Sequence, residues 1–340
     1  MNIVVLAGGI STERDVSLVS GRGIYNALKK LGHKAVLLDV YLGYEGSVEN
    51  IFDLDRDWAA LVAPVGEKAP DIEEVKKNRR QQDDVFFGTN VLKICKMADI
   101  VYMGLHGDCG ENGKIQAVFD LMGIKYTGTD SFSSALAMDK SVSKQLFNLY
   151  GVKTPKSYML KSEDDNVKPT LPCVVKICNG GSSVGVYITK TEQEYAEAVH
   201  DAFKFESKVM VEEYISGREF TCCVIDGQAL PIVEIAPISG FYDYKNKYQA
   251  GSTVETCPAK ISDELTQKIQ SEAVKAYEAL GIKVYARMDF LVTGDNEVYC
   301  LEANTLPGMT PTSLIPQEAA AIGKSYEDLC QWIIDISLRK

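Results

Sequence analysis

The chain has 340 residues, enough for two or three domains and a sizeable core. Hydrophobic residues make up 46% and charged residues 24%, as in a soluble globular protein, and no apolar run approaches the length of a membrane span. The 36 basic and 47 acidic residues leave a net charge of −11, which argues against a general nucleic-acid binder, because that needs a basic surface.

The first third alternates strand and helix. Residues 3–6 read as a strand, without the charged leader of a targeting segment, residues 8–12 as a loop, and residues 16–31 as a helix closed by Gly32. Residues 34–40 and 99–105 have the continuous apolar character of buried parallel strands, and residues 115–122 read as a helix closed by Gly123. This doubly wound α/β pattern places a site at the C-terminal ends of the strands. Between residues 41 and 96 the pattern weakens. The charged stretch 67–84 reads as a solvated surface helix or insertion rather than a basic contact patch, because acidic residues flank its lysines and arginines.

A helix is expected over residues 133–149. Short strands follow at 158–160, 173–177 and 186–189, then a helix at 192–203 and a strand at 209–214. Residues 220–225 and 229–235 form an antiparallel pair across Asp226-Gly227, and a long helix, 263–280, ends at Gly281. Residues 284–292 and 297–302 alternate like two strands joined by Gly294-Asp295-Asn296. The nine cysteines are scattered and form no CxxC pair, so they read as reduced, mostly buried thiols of a cytoplasmic protein. Three histidines without paired spacing leave little room for a zinc site.

The last hairpin carries the strongest chemical signal. Asp289 and Glu302 face each other on it, and Asn304 shares the face of Glu302, because side chains alternate with period two. Three hard oxygen ligands suit magnesium carried on nucleotide phosphates, with Arg287 on the same face, so the hairpin points to phosphoryl transfer. Weaker signals surround it. The loop Cys178 to Gly185 follows a strand carrying Lys176; its glycines let N–H groups approach an anion, and Ser182 and Ser183 add hydroxyl donors, although a plain hairpin turn has the same composition. The first loop pairs Glu13 with Arg14 and would suit a zwitterion, Glu13 taking an ammonium; the competing reading is helix capping by Thr12 or Asp15.

His106, in His106-Gly107-Asp108-Cys109-Gly110-Glu111-Asn112-Gly113, sits where a strand ends and would orient a substrate or only bond its own loop. Cys109 beside acids is disfavoured as a thiolate. The stretch Phe241 to Tyr248 has the composition of a lid, or of packed surface aromatics. After the hairpin, N–H groups of Gly308, Ser313 and Leu314 would bind a carboxylate or oxyanion, unless Leu306 to Leu314 is only a Pro-punctuated helix start.

The order of these motifs is more specific than any one of them. Gly8-Gly9-x-Ser11-x-Glu13-Arg14-x-Val16-Ser17, the His106 loop, Met138-Asp139-Lys140, Gly181-Ser182-Ser183-Val184-Gly185, Arg287-x-Asp289 and Leu301-Glu302-Ala303-Asn304-Thr305-x-Pro307-Gly308-Met309-Thr310 together resemble the D-alanine–D-alanine ligases of the ATP-grasp superfamily. The resemblance implies a mixed α/β and α+β fold of three domains: an N-terminal doubly wound parallel-sheet domain (1–135), a central ATP-grasp subdomain (136–217) and a C-terminal one (218–340). It implies that ATP phosphates meet Lys140, Lys176, Ser182 and Ser183, that Glu212 and the Ile215 backbone face adenine, and that Glu219 meets the ribose. Asp289, Glu302 and Asn304 would hold two magnesium or manganese ions. Glu13, aided by His106, would bind the ammonium of the first D-alanine, with Ser182 and Tyr248 closing a lid over it. Lys247, Ser313 and Leu314 would take the carboxylate of the second, and Arg287 and the Gly308 N–H would stabilise the tetrahedral oxyanion.

The implied activity is ATP-dependent joining of two D-alanines through an acyl phosphate, for peptidoglycan precursors, by a cytoplasmic homodimer with no nucleic-acid or membrane partner. Two departures stand out: residues 41–96 are longer than the family's usual spacing, and Gly180 replaces a common acidic residue. The competing readings are a D-alanine–D-serine ligase, another ATP-grasp carboxylate–amine ligase, and a non-catalytic nucleotide-binding protein on the same fold.

Overall fold

A computed structural model describes residues 1–66, 70–80, 84–165, 167–181, 184–238 and 252–340. Three sheets organise it. The first contains β1 (Asn2–Ala7), β2 (Lys34–Asp39) and β3 (Ile100–Met103), ordered β2-β1-β3 and parallel throughout. Ile3 to Ala7 are wholly buried, which is why this central strand is apolar on both faces. Helix α1 (Arg14–Lys30) lies on the sheet, and Gly21 lets it come close: a Cβ there would sit 2.7 Å from the Ala7 Cβ. Helices α2 (Ile72–Asn78), α3 (Val91–Met97), α4 (Asp108–Glu111) and α5 (Lys114–Met122) complete this region. The expected charged helix over 67–84 is the shorter α2, which has no buried residue; residues 67–69 and 81–83 lie outside the described set.

The helix expected over 133–149 is two helices, α6 (Ser131–Met138) and α7 (Lys140–Leu149). Asp139 makes the break. Its backbone is extended and its carboxylate accepts from the N–H groups of Ser141 and Val142, so it caps α7 instead of continuing α6. The second sheet follows: β4 (Ser157–Leu160), β5 (Cys173–Ile177), β6 (Val186–Thr189) and β7 (Val209–Glu213), in the antiparallel order β4-β7-β5-β6 and covered by α8 (Glu192–Phe203).

The third sheet holds β8 (Arg218–Ile225), β9 (Gln228–Ala229), β10 (Val233–Pro237), β11 (Thr253–Thr256), β12 (Tyr285–Val292) and β13 (Val298–Asn304), in the order β11-β10-β8-β12-β13 with β9 on β8. The strand expected over 229–235 is split into β9 and β10 around Pro231, which has no N–H to give to a ladder. Helix α9 (Asp263–Ala279) packs its apolar stripe, including Leu265, Ile269 and Ala273, against this sheet. Two C-terminal helices, α10 (Leu314–Ala321) and α11 (Tyr326–Ser337), close the chain. The second starts at a capping box formed by Ser325 and Asp328. Its Leu329, Ile333 and Ile334 join the core of the parallel sheet, so the C-terminus is tied back to the N-terminal region. All nine cysteines are free and eight are buried. Among the described residues no helix is long and apolar enough to cross a membrane.

Candidate active site

The β12–β13 hairpin sets the site. Register puts Asp289 opposite Glu302 and Arg287 opposite Asn304, with an irregularity just after Asp289. The facing pair is therefore the one the alternation predicts. Asp289 is nearly buried and receives four donors: Arg287 Nε (2.8 Å), an Arg287 terminal nitrogen (2.7 Å), Thr221 Oγ1 from β8 (2.8 Å) and Asn304 Nδ2 (3.0 Å). The guanidinium fork lies on the carboxylate in the planar geometry that favours such pairs. Three oxygen-bearing side chains and one guanidinium thus occupy a single patch at the end of the sheet.

A cluster of lysines faces that patch. Lys140 stands at the start of α7, where the cap at Asp139 turns it inward; its ammonium meets Glu302 at 3.0 Å and the Gly180 carbonyl at 2.9 Å. Burial opposes its charge, but Glu302, joined by Glu111 and Glu212, holds the ammonium above the usual lysine range. One turn later Lys144 meets Glu212 at 2.6 Å, and Lys176 of β5 meets the other oxygen of Glu212 at 2.8 Å. Burial would raise the Glu212 carboxyl, but Lys176 and Lys144 together hold it below the ordinary carboxylate range. Lys144 shifts the opposite way: burial pulls it below a normal lysine despite Glu212.

Lys140, Lys176, Glu212 and Glu302 line a cavity of about 430 Å³ between the second and third sheets. Its wall includes Lys140, Lys176, Glu212, Ile215, Glu219 and Asp289. Val174, Val186, Ile188, Ile235 and Leu291 give it apolar surface as well, as a flat heteroaromatic ring requires. The Cys178–Gly185 loop borders it through Gly180, Gly181 and Val184. A Cβ on Gly180 would lie 2.7 Å from the Ile177 Cδ1, so a side chain there requires the tip of Ile177 to shift.

A second cavity, about 240 Å³, adjoins the first. Lys140, Gly180, Gly181 and Glu302 line both, so the two spaces meet at the Lys140–Glu302 pair. Its walls bring Glu13, His106, Arg287, Asn304, Gly308, Ser313 and Leu314 together from four separate stretches of chain. Glu13 is itself the N-cap residue of α1, its side chain does not cap the helix, and Ser11 Oγ accepts from the Glu13 N–H at 3.3 Å. Its carboxylate reaches the backbone of Gly107 and Gly181: a Cβ on either glycine would fall 2.5 or 2.6 Å from Oε2. Ser313 Oγ accepts from the Thr310 N–H at 3.0 Å and would lie 3.0 Å from a Cβ on Gly308, so this loop is folded tightly on itself.

His106 is buried with both ring nitrogens engaged, Nδ1 to the Leu306 carbonyl and Nε2 to Ser20 Oγ, each at 2.8 Å. A carbonyl can only accept, so Nδ1 carries the proton and Nε2 accepts from the serine. Burial lowers its pKa, which favours this neutral form. The ring ties the end of β3 to α1 and to the loop after β13.

The residues placed in neither cavity by description are Ser182, Ser183, Lys247 and Tyr248, which lie outside the described set together with the lid stretch Phe241–Tyr248. Two residues that sequence reading gave no role are prominent. Lys144 had a signal: it follows Lys140 by four residues, so both occupy one helical face. Glu111 lies in the quoted His106 motif; it lines the second cavity and accepts from the Gly107 N–H at 3.2 Å. Burial, followed by the nearby Glu13 charge, raises its carboxyl to about 8.

Comparison with known proteins agrees with the motif order. Residues 2–129 match the family model "D-ala D-ala ligase N-terminus", and residues 148–335 match "D-ala D-ala ligase C-terminus". The D-alanine–D-alanine ligase of Pediococcus pentosaceus is 46% identical, covering 98% of this chain and 97% of that one. The crystal structure of the Bacillus anthracis D-alanine–D-alanine ligase complexed with ATP is 30% identical with a TM-score of 0.76, covering 100% of this chain and 98% of that one. The VanG D-Ala:D-Ser ligase of Enterococcus faecalis is 29% identical with a TM-score of 0.75, over 99% of both chains.

Proposed function

This chain belongs to the D-alanine–D-alanine ligase family, and from that premise we propose how its paired cavities join two D-alanines at the expense of ATP. It is an ATP-dependent ligase of ATP-grasp fold, and its product, D-alanyl-D-alanine, serves cell-wall precursor synthesis. The full-length match to ligases of this name favours D-alanine over D-serine as second substrate and disfavours a non-catalytic role. The observation that carries the site assignment is the meeting of the two cavities at Lys140 and Glu302.

ATP occupies the larger cavity. Its adenine lies on the apolar wall near Glu212 and the Ile215 backbone, its ribose near Glu219, and its phosphates against Lys176 and Lys140. Ser182 and Ser183 complete the phosphate contacts. The first D-alanine occupies the smaller cavity with its ammonium toward Glu13, and His106 acts by holding the surrounding loops in place. Its carboxylate oxygen attacks the γ-phosphorus as the bond to the ADP oxygen breaks, giving an acyl phosphate and ADP. The second D-alanine, its carboxylate held by Lys247, Ser313 and Leu314, attacks the acyl carbon through its free amine. Arg287 and the Gly308 N–H stabilise the oxyanion, phosphate leaves, and the amine proton passes to solvent or phosphate. Ser182 and Tyr248 close over the site and exclude water, which would otherwise hydrolyse the acyl phosphate.

Asp289, Glu302 and Asn304 fit divalent magnesium or manganese. All three donors are hard oxygens, two are facing carboxylates, and the cations Arg287 and Lys140 already sit on those carboxylates. Two such ions, when bound, neutralise the transferring phosphoryl charge. The division into units at 1–135, 136–217 and 218–340, a cytoplasmic location and a homodimer belong to the same reading. The test is ADP release with magnesium-ATP, with and without D-alanine, and mass analysis of the product. D-alanine-dependent ADP with D-alanyl-D-alanine is expected; ADP release indifferent to D-alanine would overturn the reading.

A further inference from the structure

The long insertion between β2 and α3 has no part in the roles above, yet it reaches the amino-acid cavity. Its segment 56–66 runs back along α1. The Arg56 carbonyl accepts from the Tyr25 hydroxyl at 3.3 Å and the Val62 carbonyl from Arg22 at 2.9 Å, and Val65 then lines the cavity beside Val19 and Val16. Tyr25, Arg22, Val19 and Val16 are spaced three apart, so they form a row that winds around the helix and follows the segment from the core to the cavity. Val62 also packs on the core of the parallel sheet, so the segment is held by apolar contact as well as by two hydrogen bonds.

The neighbouring face of α1 touches the loop after β13. Ser20 Oγ accepts from the Met309 N–H at 3.2 Å, and a Cβ on Gly23 would lie 3.6 Å from the Pro311 Cδ. Val65 and the 308–314 loop, where the second amino acid is placed above, thus line one cavity, each reached from α1. We propose that Val65, backed by Val19, forms the wall on which the second substrate's side chain packs, and so limits which D-amino acid enters there. The inference rests on the ligase reading. A wall of methyl groups offers a methyl side chain a close contact and a larger one no space, and one methylene in such a pocket changes discrimination about 10- to 200-fold.

The test uses the full chain with magnesium-ATP and equal D-alanine and D-2-aminobutyrate, the order of residues in each dipeptide being read by tandem mass spectrometry. Val65→Ala should raise D-2-aminobutyrate in the second position about tenfold over wild type, leave the first position unchanged, and keep the thermal midpoint. Val65→Phe should lower it. Arg22→Ala, which frees only the anchor of the segment, should move the second-position ratio in the same direction as Val65→Ala. An unchanged second-position ratio in these variants, or a change confined to the first position, would overturn the proposal. A wild type that forms no dipeptide at all would instead overturn the ligase reading, and this inference with it.

Discussion

In the nucleotide cavity one buried carboxylate, Glu212, holds two lysines, whereas in the amino-acid cavity two carboxylates, Glu13 and Glu111, share a wall. In the first space the lysines converge at the end where phosphates are to lie, although carboxylates outnumber cations over its wall as a whole; in the second, Glu111 keeps its proton up to about pH 8 and Glu13 is the charged partner for an ammonium. Between them, Lys140–Glu302 and Arg287–Asp289 are balanced pairs. The contrast teaches how one molecule keeps a phosphate chain and the ammonium of a zwitterion in register. Each cavity attracts its own ligand, and the boundary between them is neutral until substrates arrive.

The boundary should fail most severely. Glu302→Gln removes half of a facing carboxylate pair and the partner of Lys140, so steady-state ADP release should fall to background; near-normal turnover would separate the metal assignment from this hairpin. Arg287→Ala should lower kcat at least about 10²-fold by removing the oxyanion partner. A kcat at the wild-type level would make Arg287 only a partner for Asp289.

The nucleotide cavity can be probed through stability. Glu212→Gln leaves two buried lysines without their carboxylate, whereas Lys144→Met leaves Glu212 with Lys176. Denaturant unfolding should show a loss of about 3–5 kcal/mol for the first and distinctly less for the second. Equal losses would mean that Lys176 and Lys144 do not share Glu212 as the distances imply.

The amino-acid cavity is read as a slope of stability against pH. Glu111 has its folded-state pKa raised to about 8, so the folded protein holds a proton there that the unfolded chain releases near 4.5. Stability from this group is complete below the lower value and is lost as pH rises toward about 8. Glu111→Gln should flatten that decline in unfolding measurements across the window. The same slope in the variant would show that Glu111 is not the group responsible.

Much of the boundary was legible in the chain because strand alternation is a local rule. Asp289, Glu302 and Asn304 could be placed on one face from period two and a turn, and their register followed. Lys140 was found as a member of an ordered motif, and Lys176 on the strand before the glycine loop. The single helix over 133–149 failed at Asp139, where side-chain capping competes with the helix in a way that apolar periodicity does not register. Lys144 received no role, because its partner Glu212 lies 68 residues away and helical spacing from Lys140 alone does not reveal it. Val65 was illegible for a similar reason: only the anchors on α1 bring the insertion to the cavity.

The most direct test follows one oxygen across the boundary. D-Alanine labelled with ¹⁸O in both carboxylate oxygens should be turned over with unlabelled magnesium-ATP, and the inorganic phosphate analysed by mass. If the two cavities share a reacting carboxylate, each phosphate released with a dipeptide will carry one ¹⁸O. Phosphate free of label, alongside normal dipeptide formation, would mean that no acyl phosphate forms and that the cavities do not meet as described.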